Sequence, residues 1–140
     1  MSAAPALPRP RTVPSHLGGL RRTQLETVLQ GVAGETRVAL YVLAGPRQDP
    51  APRLATAQAL ATRHGWTVAD RTFDDTGQTD PATRPQLARL LARARRREIH
   101  GILAASRVDI SDNDREYEAM LDQILAAGAT LALAREENVL

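Results

Sequence analysis

Arg37-Val38-Ala39-Leu40-Tyr41-Val42-Leu43 is a nearly continuous apolar run with a single charge at its first residue. A run of this length with no polar alternation is the pattern of a strand covered on both faces, as in the interior of a parallel sheet. Gly34 precedes it, and Pro46, Pro50 and Pro52 bound the loop that follows. From Leu54 to Arg63 the chain is Ala-rich and helical in spacing, and His64-Gly65 supplies the glycine that usually ends a helix. Trp66 to Phe73 alternates as a second strand, and Asp74 to Thr83 is a polar loop of turn formers. Arg84 to Arg97 places Leu87, Leu90, Leu91 and Ala94 on one face and Arg89, Arg93 and Arg96 on the other, which predicts an amphipathic helix. Ile99 to Ala105 reads as a third buried strand, Asn113 to Ala127 as a further amphipathic helix ended by Gly128, and Thr130 to Ala134 as a last short strand.

The order from residue 37 is therefore β-α-β-α-β-α-β. It predicts an α/β fold with a mainly parallel sheet of about four strands, right-handed crossovers and helices on both faces. Ligands of such sheets bind beyond the C-terminal ends of the strands. That rule brings residues 44–47, 74–84 and 106–112 to one rim, where chemistry is to be sought.

Upstream, residues 1–17 hold Pro5, Pro8, Pro10 and Pro14 and read as a disordered arm. Leu20, Leu25, Val28, Leu29 and Val32 have helical spacing, so a short helix is expected within 18–34, ahead of an α/β domain over 35–140. Arginine supplies all the cationic side chains, for there is no lysine, yet the formal net charge is only +2. That balance does not by itself argue for nucleic acid. The Arg93 to Arg97 run reads first as a solvated helix end, where basic side chains also favour the helix dipole. With no cysteine, disulfides and thiolate metal sites are excluded, and His16, His64 and His100 lack ligand spacing. Asp74 and Asp75 are expected to shape a turn rather than to hold a metal. No run approaches the ~20 apolar residues that span a bilayer, and Met1 to Ser15 lacks the apolar core of a signal peptide. The expectation is a cytoplasmic protein with no membrane partner, cofactor or metal.

Five blocks, in order, resemble the catalytic domain of serine site-specific recombinases, the resolvase/invertase family. Arg37 to Val42 is similar to that family's first strand, and Arg63-His64-Gly65-Trp66 to its "R-x-G-W". Phe73 to Gly77 followed by Arg84-Pro85-Gln86-Leu87-Ala88-Arg89-Leu90-Leu91 resembles "D-x-G … R-P-x-L-x-x-L-L". Ile102 to Val108 resembles the third strand and the start of "D-R-L-S-R", and Ala126 to Leu131 resembles "A-x-G-V-x-L". The likeness covers about residues 37–138. It implies a resolvase-like fold and a chemistry in which a serine hydroxyl attacks a DNA phosphodiester while fixed arginines neutralise the phosphate.

The departures fall on the chemistry. Where the family's first strand runs into "Y-x-R-V-S", this chain has Tyr41-Val42-Leu43-Ala44-Gly45. Gly45 stands at the nucleophile position and Leu43 at that of the first arginine. In the "D-R-L-S-R" block Ser106 replaces the aspartate, Arg107 keeps the first arginine and Ile110 replaces the second, while Arg84 matches the arginine of "R-P". The resemblance thus implies a degenerate site without strand-transfer activity. Arg84, Arg107 and Ser106 remain as phosphate- or DNA-binding candidates. Ser106 also stands as a substitute nucleophile, although no neighbouring base is visible. The family's dimerisation helix and DNA-binding region have no counterpart here, so DNA binding is expected to be weak. The expected roles are an accessory domain of DNA recombination that contacts DNA or an intact recombinase, or a truncated mobile-element product. A small domain binding a phosphorylated ligand through Arg84 and Arg107 is the alternative outside the family.

Overall fold

The computed structural model describes residues 12–75 and 80–137. Its elements are α1 (Thr12–Gln30), β1 (Arg37–Leu43), α2 (Ala51–His64), β2 (Thr67–Asp74), α3 (Pro85–Arg95), β3 (Gly101–Ala104), α4 (Asp114–Ala126) and β4 (Thr130–Leu133). The four strands form one sheet in the order β2-β1-β3-β4, and every pairing is parallel. The expected α/β architecture is the one observed.

β1 is central, and its alternate side chains feed two cores. Ala39 and Tyr41 join Ile102 and Ala104 of β3 and Leu131 and Leu133 of β4 beneath α3 and α4. Val38, Leu40 and Val42 join Leu103 and Ala132 beneath α2. This two-sided burial is why the run at 37–43 carries no polar alternation. β2 lies at the edge and is half-exposed along most of its length, as its alternating sequence requires. A register shift opposite Val38 and Ala39 pairs Val38 with Val68 but Ala39 with Asp70. The strand is thereby re-aimed so that Asp70, Thr72 and Asp74 project on the α3 side.

The amino-terminal boundary differs from the sequence expectation. Helix α1 starts at Thr12 within the stretch read as a disordered arm, and it ends at Gln30 rather than near residue 34. Residues 1–11 lie outside the described residues. Pro14 falls in the first turn, where its missing N–H would have no intrahelical acceptor. Gly18 sits inside the helix because it must be small: a Cβ there would lie 2.9 Å from Glu137 Oε1. Leu17 is buried in the core beneath α3 and α4, with Leu20 packed against it. This docking offsets the cost of about 1 kcal/mol for each interior glycine. At the other end Gly31 and Val32 close the helix with turns onto Val28 and Leu29.

Candidate active site

The rim at the C-terminal ends of β1 and β3 is organised around one carboxylate. The chain leaves β3 through a short 3-10 turn, Arg107–Asp109, preceded by Ser106. Asp109 is buried and turns back onto the strand ends. Its Oδ2 accepts from the backbone N–H groups of Ala105 (2.9 Å) and Ser106 (3.1 Å), and its Oδ1 from that of Leu43 (3.1 Å). Arg53, in the first turns of α2, completes the set with Nε to Oδ1 at 2.9 Å and Nη2 to Oδ2 at 2.8 Å. A two-pronged guanidinium–carboxylate pair of this kind is both strong and geometrically exacting. Arg53 Nη2 also donates to Ser106 Oγ at 3.0 Å.

Each residue singled out in the sequence has a definite place. Gly45 follows the end of β1, and its N–H donates to Gln48 Oε1 at 2.7 Å. A Cβ at Gly45 would meet only the Gln48 side chain, at 3.1 Å, so a larger residue fits once that flexible amide moves. Leu43 lines an open cleft of about 540 Å³ together with Gln48, Pro52, Arg53 and Val108. Ile110 is fully buried within the core beneath α3 and α4. Its side chain belongs to the packing rather than to the rim.

Arg84 caps α3 from an extended backbone and is only 1% exposed. Its Nη1 donates to the Asp109 carbonyl at 2.8 Å. Arg107, 5% exposed, donates through Nε to the Ser111 carbonyl (3.1 Å) and through Nη1 to Asp114 (2.7 Å). Its guanidinium lies 4.5 Å from the centre of the Tyr117 ring, a cation–π contact, and its buried Nη2 has no hydrogen-bond partner among the described residues. Ser106 is fully buried. Arg84 and Arg107 thus serve different inner partners, and the guanidinium beside the cleft is that of Arg53, with its side chain 30% exposed.

Asp74, expected to shape a turn, closes β2 and caps the next helix. Its carboxylate accepts from the N–H groups of Gln86 and Leu87 (3.0 Å each) and from Tyr41 Oη (2.9 Å). A carboxylate at a helix N-terminus satisfies otherwise orphaned donors. Burial pushes the Tyr41 phenol well above its ordinary range, so it acts here as a donor.

The run from Arg93 to Arg97 divides. Arg89 and Arg93 bind Asp70, and Arg93 and Arg96 bind Glu98. The Arg89 hydrogen bond, with that of Arg93, lowers the Asp70 carboxyl to about 2. Arg96 and then Arg93 hold Glu98 at about 2 as well. Much of this helix face is therefore internally neutralised. Among the described residues no helix is long and apolar enough to cross a membrane.

Residues 21–139 match the family described as Resolvase, N terminal domain. The chain belongs to the resolvase N-terminal-domain family. Comparison with curated proteins gave no match. Solved structures with the same fold include the N-terminal catalytic domain of TP901-1 integrase, with TM-score 0.63, 17% identity, and 71% of this chain and 77% of that one covered. The C-terminal catalytic domain of ISC1926 TnpA, an IS607-like serine recombinase, gives TM-score 0.62 at 14% identity, over 71% of each chain. The product of the first reading frame of transposon ISC1904 from Sulfolobus solfataricus P2 gives 0.52 at 16%, over 71% of this chain and 68% of that one. At these identities the structures establish the fold. The resolvase-type scaffold is thus present, and its rim carries the Arg53–Asp109 pair.

Sequence reasoning did not single out Arg53 or Asp109 as site residues. Arg53 had one legible signal, its place just after Pro50 and Pro52 at the start of a helix entering the rim. Asp109 lay within the rim segment, but its reach back across three backbone donors depends on the 3-10 turn.

Proposed function

We propose that this chain is a resolvase-family catalytic-domain scaffold that serves DNA recombination without performing strand transfer. The observation that carries the reading is the end of β1, where Gly45, at the position the resemblance assigns to the nucleophile, has its N–H bound to Gln48. Phosphoryl transfer to protein needs a nucleophile and exposed positive charge to receive the phosphate. The nucleophile is missing at the position the resemblance assigns to it, and the guanidinium groups lodged in the rim are already engaged. Arg53 is matched by Asp109, Arg84 is buried against a carbonyl, and Leu43 offers no charge. Ser106 does not substitute as nucleophile, because its buried hydroxyl accepts from Arg53. A bound anion would have to displace Asp109 from Arg53 and uncover a carboxylate held by three backbone amides, which disfavours a small phosphorylated ligand at this place.

The test is a paired assay on duplex DNA with the natural chain and a Gly45→Ser, Leu43→Arg variant. Ile110 is left untouched because an arginine there would be buried in the core. The natural chain is expected to give salt-sensitive, weak binding and no cleavage. Cleavage by the natural chain would refute the reading. Absence of any DNA binding, with capture of an intact recombinase instead, would move the role from DNA to the recombinase.

A further inference from the structure

A second concavity lies at the opposite end of the sheet from the rim, where the C-terminal ends of α1, α3 and α4 come together. It encloses about 410 Å³ and has Val28 and Val32 of the α1 end, Ile99, Arg95, Arg97 and His100 among its lining residues. That volume falls in the range of small-molecule sites, roughly 300–1,000 Å³. Among the described residues no carboxylate lines it.

Three features make its polar wall specific. First, Arg95 and Arg97 form no ion pair among the described residues, whereas their neighbours Arg93 and Arg96 are neutralised by Glu98. Second, Arg97 has φ 63°, the left-handed conformation in which a side chain costs about 1 kcal/mol and glycine is the usual occupant. Gly65 and Gly128 take that conformation after α2 and α4, and α3 alone of these three helices puts an arginine there. Third, His100 Nδ1 accepts the Arg37 N–H at 3.0 Å, so the neutral ring carries its proton on Nε2 and is a donor. The helix carbonyls that would oppose an anion are largely capped. Ala92, Arg93 and Ala94 receive the N–H groups of Arg96, Glu98 and Arg97, and Gln123, Ile124 and Leu125 receive those of Ala127, Ala129 and Gly128.

We propose that this cavity binds a small organic anion, with a carboxylate or phosphate head on Arg95, Arg97 and His100 and a short apolar body against Val28, Val32 and Ile99. Guanidinium groups recognise both heads in the same way. The site is independent of the rim and of the reading given to it. Because α1 supplies one wall, ligand occupancy and docking of that helix are coupled.

The test is an amide NMR titration of the full chain with hexanoate and with phenyl phosphate, against hexanol and inorganic phosphate. Shifts are expected at Arg97, Ile99, His100 and Gly128 with at least one of the two amphipathic anions. Affinity should fall roughly tenfold or more for hexanol, for inorganic phosphate, and in an Arg95→Ala, Arg97→Gly variant, as for loss of charge-assisted bonds. The Arg97→Gly change relieves backbone strain, so the variant stays folded, which unchanged amide positions in β1 and β3 would verify. The proposal is overturned if neither amphipathic anion shifts these amides by about 10 mM, if hexanol binds as well as hexanoate, or if the double variant binds undiminished.

Discussion

Asp109 collects the N–H groups of Leu43, Ala105 and Ser106 and both prongs of Arg53 on one buried carboxylate. Removing it would leave three strand-end amides and a guanidinium without their acceptor. Asp109→Ala is therefore expected to cost about 3–5 kcal/mol, measured by chemical denaturation. A loss below about 1 kcal/mol would show that water replaces the carboxylate. Arg97 is expected to behave in the opposite sense. Arg97→Gly removes a left-handed side chain and should raise stability by about 0.5–1 kcal/mol, seen as a small increase in Tm. At this scale the sequence was only partly legible. Gly45, Leu43 and Arg84 could be placed on the rim because they sit at the ends of predictable elements. Ile110, which the resemblance aligns with the family's second arginine, lies buried in the core at the end of the 3-10 turn, a burial that its spacing alone did not reveal.

Among the elements, α1 is the one that sequence periodicity described least well. Leu17 and Leu20 pack into the core, and polar pairs add to its hold on the domain. Arg21 binds the buried Glu137, Tyr117 Oη donates to Glu137 at 2.6 Å, and Arg22 pairs with Glu136 at the surface. Such long-range pairs leave no local trace, and Pro5, Pro8, Pro10 and Pro14 made the stretch up to residue 17 read as an arm. The strands and α2 to α4 were legible to within a few residues, because each buries a continuous or periodic apolar face. Glu137→Gln should loosen α1 selectively, since it breaks a buried ion pair worth about 3 kcal/mol to lose. Hydrogen exchange is expected to accelerate across 16–30 while β1 and β3 stay protected. Uniform acceleration through the sheet would mean that α1 and the domain unfold as one unit.

Across the whole molecule 18 arginines face 16 acidic residues, so the formal net charge is only +2, and several of the arginines are held in ion pairs. Asp70 and Glu98 have folded-state values near 2, below their ordinary ones. Their contribution is fully present above the unfolded carboxylate range and is lost as pH falls from about 4 through 2. Asp70→Asn should flatten the fall in Tm over that window while lowering stability at neutral pH. An unchanged slope would assign the acid sensitivity elsewhere. The central claim is the proposed absence of strand transfer, and intact-mass spectrometry after incubation with duplex DNA tests it most directly. The account predicts that the natural chain keeps its mass, with no nucleotide linked to any serine. A nucleotide adduct on the natural chain, mapped to Ser106 or Ser111, would contradict it.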